Sequence, residues 1–328
     1  MPLLDAADPQ ALHRAAAALA AGELLAFPTE TVYGLGARAD DDAAVQRIFT
    51  AKGRPAAHPL IVHAASAEQA QRFASHWPAS AQVLAQAFWP GPLTLIVKRE
   101  PGLAEAAAGG QDSIGLRVPA HPLAQSLLQE ALRLGVPGVA APSANRFGRV
   151  SATCAAHVVQ EFGAELKVLD GGECPGGIES AIVDCSVAQP TLLRPGLLQR
   201  ARLEAVLGGA LRERDEQSPR SSGSLRSHYA PAARVRLMST AQLRDALELL
   251  GPQASSLRLA VYSRSRLRAG RGIEHRLMPD DPAAAAHELF AALREFDAHG
   301  AQLVWVEQLP DSAEWEGVRD RLTRAAAE

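Results

Sequence analysis

The sequence predicts an α/β protein with two domains, the first built on a twisted mixed sheet with helices and the second a smaller Rossmann-like α/β domain. Short apolar runs alternate with helical patterns along the chain. The segment 212–233 breaks this alternation with serine, arginine, proline and glycine, a composition typical of a linker. The chain has 328 residues, 47% of them hydrophobic, which is enough material for two cores. We therefore expect a domain at 1–200, a linker at 201–233 and a second domain at 234–328.

The first domain opens with a helix and continues as strands and helices in alternation. Asp8 followed by Pro9 predicts an N-cap with proline at the first helical position, and Gly22 ends the helix. A strand is expected at 23–27. Further apolar runs typical of strands lie at 59–63, 93–98, 114–118, 138–141, 166–169, 180–184 and 191–193. Helical patterns lie at 42–51, 81–88, 123–134 and 152–162.

The second domain restarts the alternation after the linker. Strands are predicted at 235–238, 257–262 and 303–306, and helices at 241–250, 283–298 and 312–326. Leu289, Leu293 and Phe296 fall on one face of the second of these helices, so this face should pack on a sheet. The pattern predicts a small βαβαβα domain.

Charge, cysteine content and hydropathy exclude several classes of protein. The formal net charge is −3, so any nucleic-acid contact needs a local basic patch. Three cysteines without a CxxC pair indicate neither a disulfide framework nor a zinc site, and no metal site built from protein ligands is predicted. The first ten residues, MPLLDAADPQ, are acidic where a signal peptide is basic, and no apolar run reaches the roughly 20 residues that span a bilayer. We expect a cytoplasmic protein without membrane contact.

The chemistry is expected where polar residues follow predicted strands, because ligands of open α/β sheets bind at the carboxyl ends of strands. The stretch FPTETVYGLGARA, residues 27–39, ends a buried strand with Thr29, Glu30 and Thr31. Their hydroxyls and carboxylate could bind a small polar molecule such as an amino acid. Alternatively, they cap a strand-to-helix turn. The residues alone leave both interpretations open.

A second polar stretch, Lys52-Gly53-Arg54-Pro55, forms a compact cationic site suited to phosphate oxygens, although a solvated basic turn would have the same pattern. His58 and His63 follow it. His63 closes an apolar strand, where a lone histidine is more often a core residue than a ligand. Neither histidine belongs to a metal-binding pattern.

Two more groups follow strands further along the chain. Ser143 and Asn145 come after Ala141, and Ser151 follows; such side chains either cap a helix or bind phosphate and ribose hydroxyls. Ser180 and Arg194 lie at later strand boundaries. Arg117, between Leu116 and Val118 on a predicted strand, needs a partner if it is buried, and a substrate carboxylate could be that partner.

The sequence contains no motif for a covalent or P-loop mechanism. GxSxG, GxxxxGK[ST] and GxGxxG are all absent. Catalysis would then depend on positioning the substrates and neutralising their charge.

Six motifs in one order, FPTETVYGLG, KGRPxxxPL, WPGPLT, GLRVP, PSAN and ESAIVD, resemble the YrdC-like threonylcarbamoyl-AMP synthases over residues 12–196. The stretch SSGSLRSHYAP and the small domain after it are similar to the linker and C-terminal domain of the long form of that family. The resemblance covers nearly the whole chain and implies a YrdC-like sheet in the first domain.

The resemblance implies a nucleotidyltransferase that converts L-threonine, bicarbonate and ATP, with Mg²⁺ accompanying ATP, into threonylcarbamoyl-AMP and pyrophosphate. Other proteins would transfer the activated group to an adenosine of tRNA. The implied threonine contacts are Thr31, His63, Arg117, the backbone of Ala141 and Ser180. The implied contacts to ATP are Lys52, Arg54, His58, Ser113, Ser143, Asn145, Ser151, Arg194 and Tyr229, with Tyr229 of the linker closing over the nucleotide. The catalytic set would be Lys52, Arg54, Ser143 and Asn145.

The chain departs from the family pattern at two places. His58 stands where the family more often has asparagine, and Ser221-Ser222-Gly223 replaces the usual Ser-Pro-Gly of the linker. Two other functions remain as alternatives. A carbamoyl-transfer domain of the hydrogenase-maturation type shares the fold, but the cysteine content does not fit its zinc-finger context. A non-catalytic RNA-binding module would instead show a basic surface and salt-sensitive binding. A weak direct contact with tRNA is a further possibility for the synthase itself.

Overall fold

The computed structural model describes residues 3–223, 227–250 and 258–327. Contacts between Cα atoms divide these residues into two compact units. The N-terminal unit comprises 3–147 and 151–223, and the C-terminal unit comprises 148–150 together with the described residues from 227 onward. No helix among the described residues is long and apolar enough to cross a membrane.

The N-terminal unit is built on a mixed sheet with helices, as the sequence predicted. Its strands are β1 (Leu3–Asp5), β2 (Leu25–Phe27), β3 (Gly34–Arg38), β4 (Ile61–His63), β5 (Ala74–His76), β6 (Leu93–Arg99), β7 (Ser113–Arg117), β8 (Val139–Ala140), β9 (Lys167–Asp170), β10 (Ala181–Asp184), β11 (Thr191–Arg194) and β12 (Arg212–Glu213). The spatial order is β1-β9-β2-β3-β8-β4-β7-β6-β10-β11-β12, with β5 paired to β6. Its helices are α1 (Ala11–Ala20), α2 (Asp42–Lys52), α3 (Ala67–Gln71), α4 (Ala79–Phe88), α5 (Pro122–Arg133), α6 (Ala155–Phe162) and α7 (Arg200–Leu207).

The centre of this sheet sets the position of the polar groups discussed below. β4 pairs in parallel with β7, so that His63 lies beside Arg117, and antiparallel with β8, so that His63 also lies beside Val139. β6 runs antiparallel to β7 and parallel to β10. Apolar side chains cover both faces: α1 and α5 pack over one core cluster, while a second, larger cluster lies around β3, β6 and α2.

Helix α2 illustrates how local sequence fixes a site residue. The Asp41 side chain accepts hydrogen bonds from the backbone N–H groups of Ala43 and Ala44, which caps the helix at its N-terminus. Gly53 ends it in the left-handed conformation, with φ of 63°, which is the usual glycine C-cap. Lys52 is therefore the last helical residue, and the chain turns immediately before Arg54.

Several elements differ from the sequence-based expectation. Helix α1 begins at Ala11 with Gln10 at the N-cap, because the Asp8 carboxylate accepts from the Gln10 N–H inside a preceding turn. Helix α6 begins three residues later than expected, at Ala155. The strand-to-helix turn considered for Thr29–Thr31 is wrong, because β2 continues into the antiparallel strand β3.

Strand β3, whose sequence is GLGAR, escaped prediction because two glycines weaken a strand pattern. The structure explains one of them. A Cβ on Gly36 would lie 2.8 Å from both Phe27 Cε1 and Val139 Cγ1, so neighbouring strands leave no room for a side chain. The short elements β1, β5, β12, α3 and α7 also lay outside the prediction, and β12 falls inside the segment expected to lack regular structure.

The C-terminal unit is a four-stranded parallel sheet with flanking helices. Its strands are β13 (Arg234–Met238), β14 (Leu259–Ser263), β15 (Glu274–Leu277) and β16 (Leu303–Glu307), in the order β13-β16-β14-β15. Its helices are α8 (Thr240–Leu250), α9 (Pro282–Ala298) and α10 (Glu316–Ala325), the last preceded by a 3₁₀ turn at Ala313–Trp315. Strand β15 was not predicted because its sequence, EHRL, is polar and only partly buried. Position 257 of the predicted strand lies outside the described residues.

Helix α9 confirms the amphipathic pattern seen in the sequence. Asp281 caps its first turn by accepting from the Ala284 N–H, and Pro282 occupies the first helical position. Leu289, Leu293 and Phe296 are fully buried. The short segment 148–150 belongs to this unit because Arg149 pairs with Ala230 and the Gly148 carbonyl accepts from the Ala230 N–H.

Candidate active site

Polar side chains meet at the end of the central strands, next to the turn between β2 and β3. Arg117 Nη2 donates to Thr31 Oγ1 at 2.9 Å, although the two residues lie 86 positions apart. Thr29 Oγ1 donates to the Val32 carbonyl at 2.7 Å and lies 2.8 Å from Thr31 Oγ1. Both threonines are buried. The turn is thereby fixed against β7, and residues 29–31 lie next to Arg117.

Glu30 forms a buried ion pair with Arg117. Its Oε1 lies 2.7 Å from Arg117 Nη2, and the two side chains are 13% and 5% exposed. The groups are not aligned as a hydrogen bond, however, and neither Glu30 oxygen has a hydrogen-bond partner among the described residues. The two charges compensate one another, but the hydrogen-bonding capacity of the Glu30 carboxylate remains unused.

Two further buried atoms at this point lack hydrogen-bond partners in the described part of the chain, Arg117 Nε and His63 Nδ1. Buried polar atoms in folded proteins are nearly always paired. A cluster that offers unused donors and unused acceptors within one site therefore indicates a small polar ligand that carries both.

His63 is neutral in the folded protein. Burial, followed by the nearby Arg117 cation, lowers the pKa of His63 from 6.5 to about 3. Its ring also packs edge-on against Phe27, with centroids 6.1 Å apart. A neutral imidazole can donate from one nitrogen and accept at the other, so Nδ1 can accept a hydrogen bond or donate one, depending on the tautomer.

We expect the stability of the wild type to fall as the pH drops from about 6.5 toward 3, because His63 takes up a proton in the unfolded chain but not in the folded one. At pH 5 the loss attributable to this histidine is about 2 kcal/mol relative to pH 7. Urea denaturation of the wild type and of His63→Asn at both pH values measures it. The variant should lose less stability than the wild type, and equal losses would contradict the buried, neutral state of His63.

Ser180 and Arg194 lie next to this cluster. Ser180 Oγ is 2.8 Å from Thr94 Oγ1, and Arg194 donates from Nη2 to the Ser180 carbonyl at 2.9 Å. A second nitrogen of Arg194, Nη1, donates to the Ser222 carbonyl at 3.0 Å. Arg194 therefore connects the start of β10 to the linker segment within the N-terminal unit.

The cationic pair predicted from KGRP lies beside the 143–145 turn. Lys52 is 3% exposed, and its ammonium donates to the carbonyls of Ser143, at 2.6 Å, and of Asn145. Burial, followed by the Arg54 cation, lowers the pKa of Lys52 well below its ordinary value. An ammonium has three donors, so one remains for a ligand beyond these two carbonyls.

Arg54 and His58 fix the loop that follows α2. Arg54 Nη2 donates to the Pro59 carbonyl at 2.8 Å, and its guanidinium lies 5.7 Å from the centre of the Phe147 ring. His58 packs edge-on against the same ring, with centroids 5.3 Å apart. Burial, then the Arg54 and Arg220 cations, lowers the pKa of His58. Two buried cations, Lys52 and Arg54, thus lie close enough to disfavour one another's charge, which an anionic ligand would relieve.

Glu179 was missed by sequence reasoning. It is 6% exposed and accepts from Ser151 Oγ at 2.5 Å, and its charge also acts on Lys52. The available signal was its place immediately before Ser180 in ESAIVD, at the start of a buried strand. Glu30 was singled out in the sequence, together with Thr29 and Thr31, as a candidate contact for a small polar molecule, but it was not among the implied threonine contacts.

Not all predicted site residues lie at the same end of the sheet. Ser113 begins β7 and Arg117 ends it, which separates them by roughly 13 Å at 3.3 Å per residue. Between these ends lies a small apolar cluster of Ile61, Ile96, Ile182 and Leu193. Gly115 adds no side chain to this surface, which therefore stays flat. A Cβ there would lie only 3.2 Å from Ile96 Cδ1, so there is little room for one. The Ala141 N–H is used by the sheet, donating to the Ile61 carbonyl at 2.9 Å.

Tyr229, predicted to close over the nucleotide, belongs to the C-terminal unit. Its ring is 1% exposed and stacks on Phe290 at 5.4 Å, and the fully buried Arg321 lies 5.3 Å from the ring centre. Its φ of 62° is unusual for an aromatic residue. In this structure the tyrosine is therefore packed inside its own unit.

Comparisons with known proteins cover both units. A family model described as telomere recombination matches residues 17–196, and a second, described as threonylcarbamoyl-AMP synthase, C-terminal domain, matches 198–327. The chain is 37% identical over 315 residues to threonylcarbamoyl-AMP synthase of Pyrococcus abyssi, covering 93% of this chain and 91% of the relative. It is 36% identical over 340 residues to the Bacillus subtilis protein of the same name, covering 98% and 94%.

A solved structure of similar size has the same fold. The crystal structure of Pyrococcus abyssi Sua5 complexed with L-threonine superposes with a TM-score of 0.89 at 35% sequence identity. The superposition covers 99% of this chain and 97% of that one.

Proposed function

The chain belongs to the threonylcarbamoyl-AMP synthase family, and on that premise we propose that it combines L-threonine, bicarbonate and ATP into threonylcarbamoyl-AMP and pyrophosphate. This reaction makes it a nucleotidyltransferase that serves the threonylcarbamoyladenosine modification of tRNA. The product would be handed to proteins that act on tRNA. The cytoplasmic location expected from the sequence stays a prediction.

The observation that carries the threonine assignment is the set of unpaired buried atoms on Glu30, His63 and Arg117. L-threonine has complementary groups: a carboxylate for Arg117, an ammonium for the Glu30 carboxylate and a hydroxyl for His63 Nδ1. A zwitterion adds no net charge to the neutral Glu30–Arg117 pair, which keeps the cost of burial low. A related structure of 35% identity has been solved with L-threonine. Thr31, Ser180 and the backbone of Ala141 would complete the contacts.

ATP would lie toward the α2 end of the site. We assign Lys52 and Arg54 to its phosphates, because two buried cations that repel one another are both stabilised by an anion. The remaining contacts predicted within the N-terminal unit are Ser113, Ser143, Asn145, Ser151, Arg194 and His58. His58 is the least specific of them, since its ring packs on Phe147. Tyr229 is not included, because its ring is buried inside the C-terminal unit. The apolar surface around Gly115 offers a flat face between the two ends of the site.

The residues of the N-terminal unit fit a magnesium ion that arrives with ATP. Among the described residues, three side chains that could share a metal ion, Glu274, Glu295 and His299, occur in the C-terminal unit. A magnesium ion in the N-terminal unit would therefore need the phosphates of ATP as additional ligands. A buried carboxylate, Glu179, lies near Lys52 and Ser151. Mg²⁺ is commonly held by one or two carboxylates together with substrate phosphates and water, and Glu179 with the triphosphate satisfies that description. Bound there, the ion would help to neutralise the phosphate charge.

The chemistry needs no covalent bond to the protein. The threonine ammonium must first lose a proton, and the Glu30 carboxylate assigned to it is the base beside it. The free amine and bicarbonate then form a carbamate with loss of water. A carbamate oxygen bonds to the α-phosphorus while pyrophosphate leaves with the electrons of the broken P–O bond. An anionic nucleophile approaches an anionic phosphate only when the charge is neutralised, and Lys52 and Arg54 supply that neutralisation. Arg117 and Glu30 hold the amino acid so that its amine is oriented consistently.

Pyrophosphate release from ATP should require L-threonine and bicarbonate together. We expect a coupled pyrophosphate assay to show full activity with all three substrates and background activity when either threonine or bicarbonate is omitted. D-threonine and L-serine serve as controls for the threonine site, since they lack the correct stereochemistry or the methyl group. Release that persists without threonine would contradict the proposal.

The alternative of a non-catalytic RNA-binding module is not favoured. The relatives that match over more than 90% of this chain are named as synthases, and the buried polar cluster suits a small zwitterion rather than a nucleic-acid surface.

A further inference from the structure

A second cationic region lies in the C-terminal unit, apart from the residues assigned to the reaction. The segment 263–272 reads SRSRLRAGRG and contains four arginines without any acidic residue. It begins at Ser263, the last residue of strand β14. Because the whole chain carries a formal net charge of −3, this concentration of arginines is a local feature rather than a general basic character.

The structure brings three arginines to one cavity. Arg266 and Arg268 of the segment meet Arg244 of helix α8 around a cavity of about 310 Å³, which is also lined by Leu247, Glu248 and Leu267. All three arginines are exposed. Across the described ranges none of them has an ion-pair partner, whereas Arg276 of the same unit pairs with Glu288 and Glu295. Among the described lining residues, three guanidinium groups stand against the single carboxylate of Glu248, so the cavity keeps a net positive charge.

The place of the cavity in the fold suits a ligand. The segment leaves the carboxyl end of a strand in a parallel sheet, which is where open α/β sheets bind their ligands. Guanidinium groups remain charged at every physiological pH and match phosphate oxygens in a bidentate manner. The three guanidinium groups therefore favour a ligand that carries phosphate.

The lining distinguishes between a free nucleotide and a polymer. The described residues that line the cavity include no aromatic ring and no hydroxyl, so among them a base would find neither a stacking partner nor a hydroxyl to read its edge. Exposed arginines on a loop and a neighbouring helix are instead typical of contacts to a phosphate backbone, which position a nucleic acid without reading its sequence.

We propose that Arg244, Arg266 and Arg268 form a binding site for the phosphate backbone of RNA, and that tRNA is its occupant. The choice of tRNA rests on the proposed function, because the labile product of the synthase is destined for an adenosine of tRNA. Binding of the polymer through this site would keep the source of the activated group near the molecule that receives it.

The test uses the triple variant Arg244→Gln, Arg266→Gln, Arg268→Gln and measures the binding of a fluorescently labelled, unmodified tRNA transcript by anisotropy. At about 100 mM salt we expect the affinity to fall roughly tenfold, because most of the sequence-independent affinity comes from phosphate contacts. The slope of log K against log salt should also decrease by about 3, roughly 1 for each lost contact. The matched control is the triple variant Arg14→Gln, Arg72→Gln, Arg133→Gln, which removes the same charge from exposed positions of the N-terminal unit.

Further measurements distinguish a nucleic-acid backbone from a free nucleotide or free phosphate as the ligand. The double variant Arg266→Lys, Arg268→Lys should retain most of the binding of the wild type, since the charge is preserved. ATP and inorganic phosphate, added at matched ionic strength, should not displace the transcript; displacement by ATP alone would assign the cavity to a mononucleotide and overturn the proposal. An equal loss of affinity in the control variant would also overturn the proposal, because the effect would then come from the net charge of the protein and not from these three positions.

The outcome can be separated from that of the proposed function. Pyrophosphate release without tRNA should be the same in the wild type and in the glutamine variant, because none of the three arginines belongs to the catalytic site. A variant that binds tRNA as tightly as the wild type refutes the RNA site while leaving the synthase intact. Conversely, the wild type could lack synthase activity and still bind the transcript through the three arginines. That result would support the RNA site and would contradict only the proposed function, on which the choice of tRNA rests.

Discussion

Replacing Arg117 by glutamine is expected to raise the threonine concentration needed for pyrophosphate release and, at the same time, to destabilise the protein. The variant loses the guanidinium assigned to the threonine carboxylate, a charge-assisted contact of about 1.5 to 3 kcal/mol, which corresponds to an increase in the KM for threonine of roughly 10- to 150-fold. It also leaves the Glu30 carboxylate in its buried position without a counter-charge. Breaking a buried pair on one side costs about 3 to 5 kcal/mol, and the low end applies here because Glu30 is 13% exposed.

A second substitution separates the two effects. Glu30→Gln together with Arg117→Gln removes both charges, so the double variant should recover most of the stability that the single variant loses. It should not recover threonine binding, since the group that receives the carboxylate is still missing. Urea denaturation measures the first quantity and the dependence of pyrophosphate release on threonine concentration measures the second. If the double variant is as unstable as Arg117→Gln, the buried ion pair is not the source of the destabilisation.

Glu30→Gln alone tests whether Glu30 receives the ammonium. The wild type should discriminate between L-threonine and its deamino analogue, 3-hydroxybutyrate, as a competitor, because only the amino acid offers an ammonium. In the variant this discrimination should shrink. Unchanged discrimination would leave Glu30 as a positioning residue for Arg117 rather than a substrate contact.

The second large effect is expected from Lys52→Met, which should lower kcat by roughly 10²- to 10³-fold, the range seen when one preorganised charge-stabilising group is removed. The side chain of methionine has a similar length and fills the same space, but it cannot neutralise phosphate charge. It also cannot donate to the carbonyls of Ser143 and Asn145, which Lys52 holds from 91 and 93 positions away. We therefore expect a higher KM for ATP along with the lower kcat.

The matched control for this variant is Lys167→Met. Lys167 lies on strand β9, is 40% exposed and forms an ion pair with Glu23. Its replacement removes the same charge from the N-terminal unit at a position that belongs to none of the assigned contacts, so kcat should change little. Steady-state kinetics with ATP and threonine varied in turn give both constants. Turnover of Lys52→Met within a few-fold of the wild type would show that the phosphate assignment is wrong even if the activity is right.

Much of the fold could be predicted because its central strands are buried on both faces. Continuous apolar runs such as those of β6 and β10 mark such strands without any knowledge of their neighbours. Strand β3 could not be recognised in the same way, since its glycines are explained by the side chains of Phe27 and Val139, which reach it only after the sheet has formed. The start of α1 shifted for a similar reason, because the Asp8 carboxylate is used by the turn before the helix and by Arg14.

The sequence by itself determined the class of fold, the two-domain plan and the residue types available at the strand ends, because hydrophobic period, turn residues and charge are local properties of the chain. The tertiary structure alone decided which of these groups meet. Arg117 faces Glu30 and lies beside His63 because β7 pairs with β4 in one register, and Ser151 reaches Glu179 across 28 positions. Strand order and register follow from the packing of the whole sheet, through many weak contacts between distant residues, and no short stretch of sequence contains that information.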